Sequence, residues 1–529
     1  MLKLHSFILI LSLFVTCVSC GGRELTEEAV QVSELLGEAL ANNPDLIFDS
    51  TSLKSKELII EYYAENDNAP VWIHKSSLNN RGKEMYAEVE NAYYHGLLPE
   101  MYRFSAIEKS MKEDITKTEL LLTNAFFLMT TDLAVGFMDS TSKEIFWKGD
   151  SINFDLKTQL NKVFEDSIKN VITENEPTYW EYHQLKNGLQ EFVNTYPLDT
   201  NTYEIPKFKD DSVACYAATK KALLGHGFLD STDAENDSIF IESIKTFQKV
   251  NGLLDDAIVG KWTSRKLAQS NLERFYQGAL ALEKWRWKTN PYPERYIRVN
   301  IPEYTLYFVD SNLIKRKHRV IVGAYATQTP EFHAKMKTMV TYPYWHLPFS
   351  ISSTEFFWAA KKDTSYARRK GYKMFRNGEE VDAATVDWTG VTQFNFPYKV
   401  RQEGGNTNSL GRIKFLFPNK HMVFIHDTPG KYLFKNDIRA YSHGCVRLHQ
   451  PFELAKAIIT SEENKIINDT LDSIVYRKEQ RVIEVKKKFE VFIEYISAVG
   501  DSSGNAIFYP DVYGRDDKYL NNTLRKIKE

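Results

Sequence analysis

Pro291 and Pro293 divide this chain by the period of its apolar residues. Upstream, apolar side chains recur at helical spacing, as in Leu120, Leu121, Ala125, Phe126, Met129 and Leu133, and again from Leu272 to Trp287. Downstream, Arg295-Tyr296-Ile297-Arg298-Val299-Asn300-Ile301 alternates, as do Tyr304-Thr305-Leu306-Tyr307-Phe308 and Arg319-Val320-Ile321-Val322-Gly323. The first pattern buries one stripe of a helix and the second one face of a strand, so neither half suits the other's structure. At 529 residues the chain also exceeds what one hydrophobic core supports. The pattern predicts a multi-domain α+β protein. Its expected parts are a leader over 1–20, a mainly helical scaffold domain over 21–204, a small three-helix domain over 205–270 and a helical linker over 271–293. A β-rich, sandwich-like domain follows over 294–517, then a tail over 518–529.

Composition narrows the function only by exclusion. Apolar residues at 43 % and charged residues at 26 % are ordinary for a folded chain. A net charge of -3 with dispersed Lys and Arg gives no reason to expect nucleic acid. The N-terminus is more informative. Lys3 precedes an apolar run from Phe7 to Val18, too short to span a bilayer and right for a signal-peptide core. Val18-Ser19-Cys20-Gly21-Gly22 resembles the cleavage and lipidation site of bacterial lipoproteins, with Cys20 the modified residue, although Cys17 stands where a leucine-like residue is usual. The expectation is an exported, periplasmic protein tethered to a membrane through Cys20; simple cleavage and an uncleaved anchor are the alternatives.

Two cysteines remain in the body of the chain. Cys215 lies in the helical pattern Val213-Ala214-Cys215-Tyr216 and reads as a buried structural thiol, which leaves Cys445 free. The aromatics Tyr62, Tyr63, Trp72, Tyr93 and Tyr94 stand at helical spacing and read as core. From 205 to 270, Phe247-Gln248, Asn251-Gly252-Leu253, Asp255, Val259-Gly260 and Thr263 to Leu267 resemble the three-helix peptidoglycan-binding domain of cell-wall hydrolases. Phe247 and Leu253 are expected as core anchors, Gly252 as a left-handed helix end and Thr263 as a cap. An insertion over about 350–410 carries Lys361-Lys362 and Arg368-Arg369-Lys370 and reads equally as a solvated flap or a substrate-covering lid.

The chemistry concentrates in two short segments. His421 to Ile425 reads as a strand that ends at His426, and Ser442-His443-Gly444-Cys445-Val446-Arg447 follows after a loop. A cysteine attacks a carbonyl as thiolate, so it needs an imidazole that takes its proton or pairs with it as imidazolium. His426 or His443 could supply it; His426, arriving from a neighbouring strand, is favoured. Gly444 permits a turn whose N–H groups, from Gly444, Cys445 and His443, would form an oxyanion hole. Pro451 to Ile459 reads as a helix that would favour the thiolate if its N-terminus faced the sulfur.

A histidine, then sixteen positions later a serine followed by His-Gly-Cys, a hydrophobic residue and a polar one, resembles the signature of the L,D-transpeptidases with a YkuD-type catalytic domain. Tyr342-Pro343-Tyr344-Trp345-His346-Leu347-Pro348, Asn408-Ser409-Leu410-Gly411-Arg412-Ile413-Lys414-Phe415 and His426-Asp427-Thr428-Pro429 are similar to the large, multi-domain YcbB-like branch. The resemblance implies that Cys445 attacks the L-centre carbonyl of diaminopimelate in a donor tetrapeptide stem. Terminal D-alanine leaves, and the thioester passes to an acceptor amine to give a 3→3 cross-link. It implies no metal and no organic cofactor, and acylation of Cys445 by carbapenems. Ser442, Asp427 and Arg447 are expected near substrate, with Arg447 either holding a carboxylate or fixing the turn by an ion pair. The rival readings are an L,D-carboxypeptidase, in which water takes the thioester, and a non-catalytic wall-binding scaffold. A cysteine endopeptidase would normally place its cysteine before the histidine, the reverse of the order found here.

Overall fold

A computed structural model describes residues 27–138, 155–288, 292–462, 465–517 and 519. The leader with Cys20 and nearly all of the tail lie outside the described residues. The chain separates into two units, one from residues up to 90, 102–130 and 154–174, the other from 91–101, 131–153 and 175–529.

The first unit is helical, as the spacing predicts, and is organised around a buried acid. Glu119, on the helix Ile115–Val135, accepts hydrogen bonds from the backbone N–H groups of Val71 at 2.5 Å, Trp72 at 3.0 Å and Ile73 at 3.1 Å, and from the Tyr63 hydroxyl at 2.7 Å. Trp72 Nε1 donates to Thr123 Oγ1, one turn further along the same helix, at 2.9 Å. Tyr62, Tyr63 and Trp72 are buried core residues, as their spacing suggests. Burial pushes the Glu119 carboxyl up to about 7; its four donors exist because an unpaired buried carboxyl is costly.

In the second unit, helix Trp180–Thr195 shares a core with helix Asn271–Arg286 and with the hairpin strands Ala498–Gly500 and Ala506–Phe508. The expected scaffold boundary at 204 therefore does not coincide with the division between units. Tyr182, Leu185, Leu189 and Phe192 pack with Phe275, Leu282 and Trp285 instead. The three-helix domain is present as Ser212–Gly225, Asp237–Val250 and Lys261–Leu267. Phe247 and Cys215 are fully buried in its core, and Gly252 takes φ +64 just past a helix end. Thr263 is not a cap: Gly260 occupies that position, and Thr263 lies inside the helix with its hydroxyl bonded to Ile258 O at 3.3 Å.

Among the described residues, eleven strands of the C-terminal region form one sheet. Its order runs Arg481–Glu484, Thr338–Thr341, Ile413–Leu416, Ile425–His426, Val446–Leu448, Leu313–Gly323, Thr305–Asp310, Tyr296–Asn300, Glu490–Glu494 and Phe332–Lys335, with Ala440–Ser442 beside Leu313–Gly323. The sheet curls round a single core: Phe332 at one end packs in the same cluster as Phe417 and Met339 near the other. Helix Pro451–Ser461 fills that core with Leu454, Ala455, Ile458 and Ile459.

The expected strand over 421–425 is shorter than predicted. Only Ile425–His426 is strand, because Asn419 folds the preceding residues into a turn. Its Oδ1 accepts from His421 N at 3.0 Å and Val423 N at 3.2 Å, its Nδ2 donates to Phe417 O and Val423 O at 2.7 Å, and Met422 takes φ +55. An Asn side chain that satisfies local backbone groups competes with the ladder.

The insertion is neither a bare flap nor a loop. Trp345–His346, Lys399–Gln402, Tyr372–Arg376 and Glu379–Val381 form a separate four-stranded sheet among the described residues. Phe356, Phe357, Trp388, Phe396, Tyr398 and Val400 give it a core of its own.

Replacing Glu119 with alanine strands three backbone N–H groups in a dry interior, each at about 1–3 kcal/mol, while the Tyr63 hydroxyl keeps Thr123 Oγ1 at 2.7 Å. Urea unfolding followed by tryptophan fluorescence should show the first unit losing at least ~3 kcal/mol; a loss below ~1 kcal/mol would mean that Glu119 does not hold the 71–73 segment.

Candidate active site

Strand alternation builds the site. Lys414 pairs with His426 across antiparallel strands, and His426 pairs with Arg447 across parallel ones. Their neighbours Phe415, Ile425 and Val446, registered in the same way, are all fully buried in the core. Lys414, His426 and Arg447 therefore form a row on the opposite face of the sheet. Cys445, two residues before Arg447, belongs to that face as well, just beyond the start of the Val446–Leu448 strand.

The turn that presents Cys445 is fastened from both sides. Thr327 Oγ1 donates to Ser442 O at 2.9 Å, Ala324 N donates to the same oxygen at 2.8 Å, and Thr329 Oγ1 donates to Gly444 O at 2.8 Å. Gly444 has φ +106, a conformation that a residue with Cβ adopts only under strain. Ser442, expected near substrate, is buried and closes the turn instead: its hydroxyl donates to Cys445 O at 2.5 Å and accepts from Gly444 N at 3.2 Å. That bond engages one of the three expected oxyanion donors. The N–H groups of Cys445 and His443 have no hydrogen-bond partner among the described residues.

His426 is 4 % exposed, and its Nδ1 lies 2.5 Å from Asp427 O. A carbonyl oxygen can only accept, so Nδ1 carries the proton and Nε2 keeps a lone pair. Burial, then the Arg447 guanidinium, pushes the imidazole down to about 4, so at neutral pH it is an uncharged base. Burial also pushes the Cys445 thiol up, against opposing pulls from the Phe424 backbone, Arg447 and Lys414. The resting pair is thus neutral thiol and neutral imidazole rather than thiolate and imidazolium. The helix Pro451–Ser461 does not alter this, because it packs on the core face, away from the row that carries the thiol.

The other expected residues have different roles. His443 is exposed, and its Nε2 meets Glu355 Oε1 of the insertion at 2.6 Å. Asp427, expected near substrate, is 2 % exposed; its carboxylate accepts from Arg412 N at 2.9 Å and pairs with Lys431 Nζ. It holds the loop after the His426 strand. Arg447 makes no ion pair among the described residues, so it does not brace the turn as one sequence reading allowed. Lys414 was missed as a site residue, although its signal is visible in retrospect: Ile413 and Phe415 flank it as core residues, which sends Lys414 to the other face. Among the described residues no cluster of three or more His, Cys, Asp or Glu could hold a metal ion.

Residues 294–466 match the model of the L,D-transpeptidase catalytic domain of the YkuD type, and residues 57–189 match one described as a scaffold domain. A putative L,D-transpeptidase of Haemophilus influenzae is 33 % identical over 239 residues. That alignment covers 45 % of this chain and 48 % of the relative, so the chain spans about half the length of the curated relative it matches.

A neutral resting thiol has a measurable signature. Iodoacetamide alkylation of Cys445 should rise steadily with pH through and above the ordinary thiol range, and His426→Ala should leave that profile nearly unchanged. A reactive plateau below pH ~6, lost in His426→Ala, would instead establish a preformed ion pair.

Proposed function

Since residues 294–466 form an L,D-transpeptidase catalytic domain, we propose that the chain is an exported peptidoglycan L,D-transpeptidase of the large, YcbB-like branch, acting in the periplasm through a Cys445 thioester. The observation that carries this reading is the single face holding Cys445 and His426, with one imidazole nitrogen fixed and the other without a hydrogen bond among the described residues. The scaffold match over 57–189 and the three-helix domain support a multi-domain wall enzyme.

In this reading those atoms carry a two-step acyl transfer. The Cys445 sulfur attacks the L-centre carbonyl of diaminopimelate in a tetrapeptide stem while His426 Nε2 takes the thiol proton. A base of depressed pKa is weak, but a sulfur and imidazole held on one face need no diffusion, and the positive charge created on His426 is matched by negative charge on the substrate oxygen. The N–H of Cys445, with that of His443, receives this oxygen. Collapse breaks the C–N bond to D-alanine, and the imidazolium returns its proton to the departing amine. An acceptor amine then attacks the thioester, loses a proton to His426 and releases the thiol. A diaminopimelate side-chain amine gives the 3→3 link.

The test is mass spectrometry of disaccharide-tetrapeptide muropeptides incubated with the protein. Dimers lacking one D-alanine should form, Cys445→Ala should form none, and His426→Ala should lower the rate about 10²- to 10⁴-fold. Tripeptide without dimer would make water the acceptor and the chain a carboxypeptidase; no product from a folded, alkylatable protein would overturn the enzymatic reading.

A further inference from the structure

Lys414 and Arg447 present an electrostatic imbalance that the acyl-transfer chemistry does not use. Both are partly buried, both lie on the face of the thiol, and neither has a hydrogen bond or ion pair to a carboxylate among the described residues. Lys414 Nζ stands 5.7 Å from the centre of the Phe424 ring, and Phe424 in turn lies against His426 with ring centres 5.7 Å apart. The lysine thus lies over the Phe424 ring, near enough to the thiol for its charge to act on it. Burial pulls both cations below their ordinary values, and the thiol lies close enough to act on each of them. Partly buried cations are ordinarily paired, and a pair of like charges flanking one histidine is more costly still. Here the resting thiol is neutral and gives them no counter-charge.

We infer that Lys414, together with Arg447, forms a subsite for the carboxylate of the residue that leaves the donor stem. The inference rests on the acyl-transfer reading and commits it to a substrate feature. In a tetrapeptide donor, the carboxylate of terminal D-alanine is three bonds from the attacked carbonyl carbon, within about 4 Å of it. The free carboxylate at the far end of diaminopimelate is several methylenes further away. With that carbonyl over Cys445, the nearby anion falls among the cations beside the sulfur. Arg447 offers a planar fork and Lys414 a movable point charge, a combination suited to a carboxylate. The subsite favours a donor whose leaving residue ends the peptide: a stem with a fifth residue, or with an amidated terminus, leaves the two cations unpaired.

Calorimetry on Cys445→Ala protein separates binding from turnover. The D-alanine-terminated tetrapeptide should bind on the order of tenfold to a hundredfold tighter than the same peptide with a terminal carboxamide. Lys414→Met should remove most of that difference, while Lys414→Arg should retain it and show that the fold tolerates substitution there. In protein that keeps Cys445, Lys414→Met should raise KM for the acid donor far more than it lowers kcat. Equal preference for the acid in Lys414→Met and the unaltered residue would overturn the subsite. So would a Lys414→Met change confined to the pH profile of thiol alkylation, which would make the lysine a partner of the thiolate alone. Acid preference that depends on Lys414 in a protein that releases no D-alanine would support the subsite and remove the transpeptidase reading instead.

Discussion

The register between three short strands is the constraint on which the site depends. Ile413–Leu416, Ile425–His426 and Val446–Leu448 each contribute few residues, yet Phe415, Ile425 and Val446 interlock in one fully buried layer. Each such side chain is worth roughly 1.5–3 kcal/mol when buried. A slip by one residue would carry all three to the outer face and draw Lys414, His426 and Arg447 into the core. The hydrophobic layer therefore fixes the catalytic row from behind, although none of its members touches substrate. The Cys445 turn is fixed from the side, by Thr327 and Thr329 on an adjoining segment.

Burial then sets the charges. The sheet face is enclosed enough to hold His426 uncharged and Cys445 protonated, so the site rests without an ion pair and develops charge only as the reaction proceeds. Such a thiol is protected from adventitious electrophiles, whose attack requires the thiolate. In the proposed reaction it becomes a nucleophile when a carbonyl occupies the position where sulfur attack and proton transfer can be concerted. The two cations fit the same logic, since they favour the anionic sulfur and any anionic substrate while opposing a third positive charge, on His426.

The sequence made the period change at Pro291 and Pro293 legible, and with it the helical and β-rich halves, because apolar spacing reports burial directly. The cysteine turn was legible for a similar reason: Gly444 stands where the backbone needs positive φ. What escaped depended on side chains bonding to backbone groups at a distance of a few residues. Asn419 shortened the His426 strand, Ser442 captured the Gly444 N–H, and Gly260 rather than Thr263 opened a helix. Ser442 and Thr263 could each have served the expected role, and spacing alone does not reveal which backbone group a polar side chain meets. Lys414 escaped differently. Its face was readable from Ile413 and Phe415, but its nearness to Cys445 arises from pairing between strands separated in sequence, and only the fold supplies that.

The insertion shows how a folded element can border a site without being fixed by it. Its aromatic core and four-stranded sheet make it a unit that holds its own shape, so it meets the catalytic turn as a preformed surface rather than as a chain that orders on contact. The contact at the turn is Glu355 with His443, whose side chains are 61 % and 47 % exposed. A hydrogen-bonded contact this open is worth about 0–1 kcal/mol, too little to anchor a subdomain. Its position comes instead from the chain's entry and exit, where Trp345–His346 and Lys399–Gln402 pair with each other, and from Gly404, which packs so closely on Tyr342 O that a Cβ would stand 2.5 Å from that oxygen. The His443 imidazole is consequently held at the mouth of the site by a weak, solvent-accessible partner, while His426 is fixed inside by a buried carbonyl. That contrast suits the two histidines of the motif to different work in the proposed reaction: His426, held inside, to proton transfer, and His443, held only by an exposed side chain, to giving way before a peptide stem.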